Sequence, residues 1–322
     1  MVSLLITALL RPSFSEAQQA VTVPRIGYVQ TTSREAQLHL VRAFEAGLRE
    51  RGYSVGSDIV IEYRFAEGRP ERLVELVGEL VRLKVDVIVT GVNPGTLAAK
   101  RVTTTIPIVM AASFNPVEEG LVASLARPGG NVTGLSLDAG PEILAKRLQL
   151  LREIVPTMSR VAALSGVGMT YNRVHVQLLA DAGLSLGVTV APLEISGADD
   201  LVSAFSEIAR ARATGLIVFA GPVLLPLRAR IASMAVTKRL PTVCPAKLWV
   251  SDGCLVSYGA DVEDSWRRAA GYVHRILKGA RPADLPVEQP TKFELAINAA
   301  TAKMLALTIP QSVLLQADHV VQ

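Results

Sequence analysis

The residues that could carry catalysis are few and scattered in this chain of 322 residues. The sequence has no G-x-x-x-x-G-K-[ST], H-E-x-x-H or C-x-x-C motif, so the usual phosphate-binding and metal signatures are missing. Gly166-Val167-Gly168 follows a predicted strand, but Tyr171 stands where the third glycine of a dinucleotide-binding loop belongs. The histidines stand singly, without metal-ligand spacing. We therefore expect neither an enzyme nor a bound cofactor or metal.

Neutral polar side chains, by contrast, follow several predicted strands, and the carboxyl ends of parallel strands are where ligands bind in open α/β sheets. Helices that begin there also offer free N–H groups, which suit a ligand carboxylate. Each residue is equally well explained as a helix cap or a turn residue. The predicted ligand-binding residues of the first half are Thr31, Thr32, Ser33, Asn93, Thr96, Ser113, Phe114 and Asn115. Those of the second half are Tyr171, Asn172, Gly221, Pro222, Trp249 and Asp261, with Tyr171 and Trp249 as flat apolar walls.

The elements that must position these residues alternate as strand and helix. Continuous apolar runs such as 85–90 and 161–165 are typical of strands covered on both faces of a parallel sheet. Between the runs, apolar residues recur at helical spacing, as in 38–48. One series of this kind occupies 23–110, and a second begins at Arg160. The pattern predicts an α/β fold with two parallel-sheet lobes of similar size.

Composition supports a two-domain globular protein that binds no nucleic acid. Half of the residues are apolar and 19% are charged, and a chain of this length exceeds what one core usually fills. The net charge is only +4, and acidic residues alternate with basic ones, so there is no basic stripe for nucleic acid. No segment after the N-terminal region approaches the ~20 apolar residues of a membrane span.

The N-terminal region predicts export. Leu4–Leu10 is apolar, and Ser15-Glu16-Ala17 is a small-x-small cleavage site, so we predict a cleaved signal segment at 1–17 and a periplasmic location. No Lys or Arg precedes the apolar run, and we expect the true start to lie upstream. Cys244 and Cys254 could form one disulfide after export, but two buried free thiols are the interpretation we favour.

Longer strings carry a resemblance to a known family. The stretch 115–134, NPVEEGLVASLARPGGNVTG, resembles the ABC-transporter substrate-binding protein family that includes tryptophan- and tyrosine-binding receptors. Further similar strings are VSYG at 256–259, RRAA at 267–270, ILKGARPADLPVEQPTKFEL at 276–295 and IPQSVLL at 309–315. The resemblance covers nearly the whole chain from Pro24.

This resemblance implies a type I periplasmic binding protein fold, in which two Rossmann-like lobes joined by a hinge close over a small molecule. It implies that lobe one comprises 24–135 plus 256–283 and lobe two comprises 136–255 plus 284–322. It also implies a membrane permease and an ATPase as partners, and an amino acid or related carboxylate as ligand.

The chain departs from the family at one informative position. Where the family often has Gly-Asp-Pro, this chain has Phe114-Asn115-Pro116, and neutral Asn115 cannot pair with a ligand ammonium. Asp138 or Asp261 would have to replace that aspartate.

Two other functions remain open. A sensor of the same fold would report occupancy to a signalling partner in the membrane, and an α/β enzyme would need a nucleophile, base or cofactor loop. Fold alone does not decide among these functions.

Overall fold

A computed structural model describes residues 23–138, 140, 142–167, 172–221 and 223–322. The predicted signal segment 1–17 lies outside the described residues. The strands are β1 (Arg25–Gln30), β2 (Val60–Phe65), β3 (Val87–Thr90), β4 (Ile108–Ser113), β5 (Val132–Ser136), β6 (Arg160–Gly166), β7 (Thr189–Ile195), β8 (Leu216–Val218), β9 (Thr242–Cys244), β10 (Val256–Ala260), β11 (Phe293–Asn298) and β12 (His319–Val321). The helices are α1 (Arg34–Arg49), α2 (Leu73–Arg82), α3 (Asn93–Val102), α4 (Glu142–Ile154), α5 (Asn172–Leu186), α6 (Leu201–Arg210), α7 (Arg228–Thr237), α8 (Lys247–Ser251), α9 (Val262–Leu277), α10 (Ala299–Met304) and α11 (Gln311–Leu314). In the part of the chain so described, no helix combines the length and the apolar character needed to cross a bilayer.

The first sheet has five parallel strands in the order β2-β1-β3-β4-β5. Its strands β3 and β4 are buried along their whole length, as apolar runs covered by helices on both faces should be. Helices α1 and α9 pack on one face over a core that includes Tyr28, Phe44 and Trp266. Helices α2 and α3 pack on the other face over Leu80 and Ile88.

The second sheet has seven strands in the order β12-β11-β10-β9-β8-β6-β7. Strand β11 runs antiparallel to β10 and parallel to β12, while the other neighbours are parallel. Helices α4, α5 and α10 cover one face, and α6, α7 and α8 cover the other. The predicted fold, two α/β lobes with mainly parallel sheets, is confirmed.

The chain passes between the two lobes three times, after β5, after β10 and before β11, because α9 lies between β10 and β11 in the chain and packs on the first sheet. Strands β5 and β10 end at the first two crossings. The third crossing leads into β11, which begins beside the end of β10 because the two strands are antiparallel. All three crossings therefore lie at the carboxyl ends of the parallel strands. Hydrogen bonds tie the crossings together. Gln289 Nε2 donates to the carbonyl oxygen of Asp138 at 3.2 Å, and Lys292 Nζ pairs with Asp261 Oδ2 at 2.7 Å. The three crossings therefore form one joint between the lobes.

The lobe boundaries differ from the prediction at two places. Strand β10, which was expected in lobe one, pairs with β9 and β11 in the second sheet. Conversely, Leu285 and Val287, expected in lobe two, pack in the two cores of lobe one. The expected boundaries came from the crossover pattern that the resemblance implies, whereas main-chain pairing places the second crossing after β10 and not before it.

The cysteines also differ from the interpretation that was favoured. Cys244 at the end of β9 and Cys254 before β10 form a disulfide, with Cα atoms 6.5 Å apart. Both side chains are buried. The bond links the two strands that flank the short helix α8.

Helices α1 and α9 approach closely because Gly47 has no side chain. A Cβ at this position would lie 2.2 Å from the carbonyl oxygen of Arg267 and 2.9 Å from the Ala270 methyl. The same interface buries Trp266, whose ring centroid is 5.1 Å from that of Tyr28. This contact attaches α9, which follows a strand of lobe two, to lobe one.

We expect Gly47→Ala to lower the free energy of unfolding by about 1–3 kcal/mol, because the methyl group forces α1 and α9 apart. Gly78→Ala in α2 is the matched control, since a Cβ there meets only the Arg82 guanidinium, at 3.5 Å. Removing that helical glycine should stabilise by up to about 1 kcal/mol. Urea unfolding measures both variants. Equal stability of the two would contradict the close helix contact.

Candidate functional site

Loops from both sheets gather on one edge of the molecule, beside the three crossings. They follow β1, β3, β4 and β5 in lobe one, and β6, β8, β9 and β10 in lobe two. Helices α1, α3 and α5 begin in these loops, so their unpaired N–H groups and positive dipole ends point to the same edge. We call this region the interlobe edge. It is the position at which open α/β sheets bind ligands.

The side chain of Asn93 holds the loop after β4 in place through three hydrogen bonds. Its Oδ1 accepts hydrogen bonds from Ser113 Oγ at 3.0 Å and from the Phe114 N–H at 2.9 Å. Its Nδ2 donates to the Phe114 carbonyl at 2.6 Å. The structure therefore brings these three predicted residues together. They satisfy one another and fix the shape of the loop.

The loop then turns sharply at Asn115, which has a φ of 44°. Asparagine is one of the few residues that tolerate this left-handed region. The Asn115 N–H donates to Asp138 Oδ2 at 2.6 Å. The side-chain Nδ2 of Asn115 is buried and has no hydrogen-bond partner among the described residues. An amide donor is thus available where the family often has a carboxylate.

Asp138 lies at the first crossing and is held by two donors. Besides the Asn115 N–H, Ser136 Oγ donates to its Oδ2 at 2.6 Å. Burial raises the pKa of Asp138, although the two hydrogen bonds oppose the rise, and the nearby acid Glu118 raises it further. No cation within the described residues pairs with this carboxylate. Asp138 is therefore a largely desolvated acid at the interlobe edge that lacks a positive partner.

Gln30 was missed in the sequence. It ends β1 and is only 3% exposed, and its amide lies within interaction range of the buried Tyr28 hydroxyl, without a hydrogen bond of good geometry. Gly91, just after β3, makes room for this side chain, since a Cβ there would lie 2.5 Å from Gln30 Oε1. The signal that could have revealed Gln30 is a long polar side chain as the last residue of a buried strand.

Other predicted residues of lobe one act as turn and core residues. Ser33 caps α1 by accepting from the Ala36 N–H at 3.3 Å, and Thr32 Oγ1 accepts from Gln37 Nε2 at 2.7 Å. The Thr31 carbonyl accepts from the Gly68 N–H at 2.8 Å. Thr96 is fully buried, and its hydroxyl lies 2.7 Å from that of Thr90. The prediction that Thr96 contacts the ligand is therefore wrong: its side chain is internal and hydrogen-bonds to Thr90.

Two predicted residues near the second crossing are also corrected. Trp249 is 2% exposed and packs in the core beneath α6 to α8, so it forms no wall of the interlobe edge. Asp261 caps α9 by accepting from the Asp264 N–H at 2.9 Å and pairs with Lys292. Burial alone would raise the pKa of Asp261, but the bonds from Lys292 and Asp264 hold it below its usual value. Its charge is already compensated.

In lobe two, Gly221 follows β8 and its carbonyl accepts from the Leu225 N–H at 3.1 Å. Asn172 begins α5 at the interlobe edge, whereas the predicted contacts Tyr171 and Pro222 lie outside the described residues. His175, in the first turn of α5, packs against Phe219, with ring centroids 6.0 Å apart.

One G-x-S-x-G sequence is present, at 183–187. A nucleophile of this type sits on a turn between strand and helix, but Ser185 lies in the last turn of α5. Its Oγ donates to the Ala182 carbonyl at 2.7 Å. The segment therefore has the geometry of a helix end.

Two α/β lobes joined by three crossings, with the carboxyl ends of both sheets on the interlobe edge, define the type I periplasmic binding protein fold. The chain belongs to the family described as ABC transporter substrate binding proteins, whose model matches residues 25–321.

Individual relatives agree with this membership. The chain is 27% identical over 290 residues to a tyrosine-binding protein of Clostridioides difficile strain R20291, covering 87% of this chain and 80% of that protein. A structure from Streptococcus pneumonia, described as an ABC domain in complex with L-Trp, is 26% identical with a TM-score of 0.81, covering 92% of this chain and 99% of the other. The fold also matches the ligand-free, open structure of a substrate binding protein with adhesive properties from Clostridium difficile, at 22% identity and a TM-score of 0.75, covering 93% and 100%.

We expect Asn93→Ala to lower the free energy of unfolding by about 1–3 kcal/mol, because it leaves the Phe114 N–H and the Ser113 hydroxyl without their partner. Gln149→Ala in α4 is the control, because it removes only an exposed side-chain hydrogen bond to Glu153 at 2.9 Å, and it should change the stability by less than about 0.5 kcal/mol. Thermal and urea unfolding compare the two variants. Equal losses would show that the hydrogen bonds of Asn93 do not stabilise the loop.

Proposed function

We propose that this chain is the extracytoplasmic receptor of an ABC importer and that it captures an amino acid between its lobes. The observation that carries the amino-acid assignment is Asp138, a carboxylate at the joint of the lobes with no cation beside it in the described chain. A ligand ammonium would supply the missing positive charge, since charges removed from water are normally paired.

Asp138 is the better of the two candidate acids. Asp261 already has an ion pair at 2.7 Å and a helix to cap, so a ligand would have to compete for it. Asp138 receives two neutral donors on its Oδ2, and its Oδ1 makes no hydrogen bond within the described residues. That oxygen is the one we assign to the ligand.

The relatives support the same ligand class. One is a tyrosine-binding protein, and another was crystallised with L-Trp. L-tryptophan and L-tyrosine are therefore the first compounds to test. The neutral amide of Asn115, whose buried nitrogen has no hydrogen-bond partner in the described chain, would add a hydrogen bond to a polar ligand atom.

The mechanism we propose is closure about the joint of three crossings. A ligand that contacts both lobes binds the closed form more tightly and shifts the population toward it. Capture of this kind needs no covalent step. The membrane permease and the ATPase would then receive the ligand, and export through the segment 1–17 would place the receptor in the periplasm.

Binding of L-tryptophan or L-tyrosine should raise the melting temperature of the protein that begins at Gln18. A ligand that binds only the folded form stabilises it by about 2.7 kcal/mol at 100 times its dissociation constant. A thermal-shift screen of all common amino acids against sugars and nucleosides measures this. No shift with any amino acid, together with a shift for another class, would overturn the ligand assignment.

Asp138→Asn should weaken binding of the amino acid at least about 10-fold, because a neutral amide cannot pair with the ammonium. Its stability should stay within about 1 kcal/mol of the wild type, since the amide oxygen can still accept from Ser136 and Asn115. Asp261→Asn is the matched control. It also removes one charge at a crossing and preserves a good helix cap, so its affinity should change less than 3-fold by titration calorimetry. Similar losses in both variants would contradict the specific role of Asp138.

A further inference from the structure

One buried cation in lobe two has no acidic partner. Arg147 lies on the face of α4 that packs against the second sheet, in the same stripe as Leu144, Leu148 and Leu151. It is 6% exposed. Arginine is rarely buried to this extent without an acidic partner.

The guanidinium of Arg147 contacts the main chain of two neighbouring strands. Its Nε donates to the carbonyl of Tyr258, the third of the five residues of β10, at 2.7 Å. Its Nη2 donates to the carbonyl of Pro245, directly after β9, at 3.2 Å. The next crossing begins at Asp261, three residues beyond Tyr258. Arg147 thus presents its charged head at the interlobe edge.

The bonds to two neutral carbonyls leave much of the guanidinium unused. A guanidinium has five N–H donors, and the remaining ones, including both on Nη1, make no hydrogen bond within the described residues. No aspartate or glutamate of the described chain forms an ion pair with Arg147. Burial lowers the pKa of Arg147 to about 10, which still leaves it protonated at neutral pH.

Apart from the Tyr258 side chain, which raises the pKa of Arg147, no charged group of the described chain opposes the effect of burial on it. His175 at the start of α5 is close enough for the charge of Arg147 to act on it: burial, and secondarily this charge, lower the pKa of His175. A neutral imidazole does not compensate a cation. A desolvated, uncompensated guanidinium is costly, and a carboxylate is the planar partner that fits its remaining donors.

We infer that Arg147 binds the carboxylate of the ligand from lobe two. This inference rests on the proposed function and completes it: Asp138 at the first crossing would hold the ammonium and Arg147 the carboxylate of one amino acid. The ligand would connect the two charges. The two hydrogen bonds from Arg147 to main-chain carbonyls would orient the guanidinium before the ligand binds.

The test compares L-tryptophan and L-tyrosine with their primary amides, and with 3-indolepropionate, which keeps the carboxylate and lacks the ammonium. In the wild type, each amino acid should bind about 10- to 100-fold more tightly than its amide, the range expected for a charge-assisted pair. Arg147→Met keeps an unbranched apolar side chain over the core. It should lose this preference, with affinity for the amide changed less than 3-fold. Arg147→Lys should retain part of the preference.

The variants separate this role from a purely structural one. If Arg147 only braced the ends of β9 and β10, the Met variant would weaken acid and amide binding equally, and that result overturns the inference. If the Met variant does not fold, the inference is tested on the wild type alone. Equal affinity of the wild type for an amino acid and for its amide also overturns the inference.

The same measurements keep the two proposals distinct. If the wild type binds 3-indolepropionate but no amino acid, and Arg147→Met abolishes this binding, the carboxylate site stands and the amino-acid assignment fails. If amino acids bind and the Met variant still prefers acid to amide, the amino-acid assignment stands and the role of Arg147 fails. If none of these compounds binds but the thermal-shift screen identifies another amino acid, that amino acid and its primary amide replace them in the comparison. Binding of no amino acid and of no carboxylate overturns both proposals.

Discussion

The structure depends on one topological constraint: the chain changes lobes three times at the same edge. Because two parallel strands end and one antiparallel strand begins there, the carboxyl ends of both sheets must meet beside the crossings. The bonds from Gln289 to Asp138 and from Lys292 to Asp261 then join the crossings to one another. The loops that can bind a ligand are thus positioned by the segments that join the two lobes.

The charged groups at the interlobe edge differ in whether they have a partner of opposite charge. Asp261 is compensated by Lys292 and serves the helix that follows it. Asp138 and Arg147 have no charged partner in the described chain, and burial shifts the pKa of each toward its neutral form. Such groups destabilise the protein until a partner of opposite charge arrives. A zwitterionic ligand would relieve both at once, in the closed form more than in the open form, which is the differential affinity that a conformational change requires.

The sequence predicted the architecture well where patterning is local. The helical spacing at 38–48 falls within α1, and the apolar runs at 85–90 and 161–165 contain β3 and lie within β6, respectively. The three-residue strands β9 and β12 were missed, because a strand so short shows no periodicity and neither lies in a longer apolar run, as β8 does at 216–219. Strand β10 was assigned to the wrong lobe for a different reason: the boundary came from the family's crossover pattern, and no local signal in the sequence shows on which side of β10 the chain crosses.

The site was predicted less well, because polar residues in loops look alike whether they bind ligands or cap helices. Thr96 and Trp249 are internal, and Ser33 is a cap. Arg147 was overlooked although it carried a signal: it stands at a core-facing position of an amphipathic helix, where leucines precede and follow it at 144, 148 and 151. A charge in an apolar stripe is a stronger sign of function than a polar residue in a turn.

The replacement of the family's aspartate by Asn115 also acquires a physical explanation. The loop still needs a residue that accepts a left-handed backbone, and asparagine does so without adding a second acid beside Asp138. Two carboxylates at this spot would repel each other, as Glu118 already opposes the ionisation of Asp138. With Asn115 donating its N–H, the single acid sits on the crossing itself. A ligand ammonium bound there would act directly on the joint, so that binding and closure are coupled through one residue.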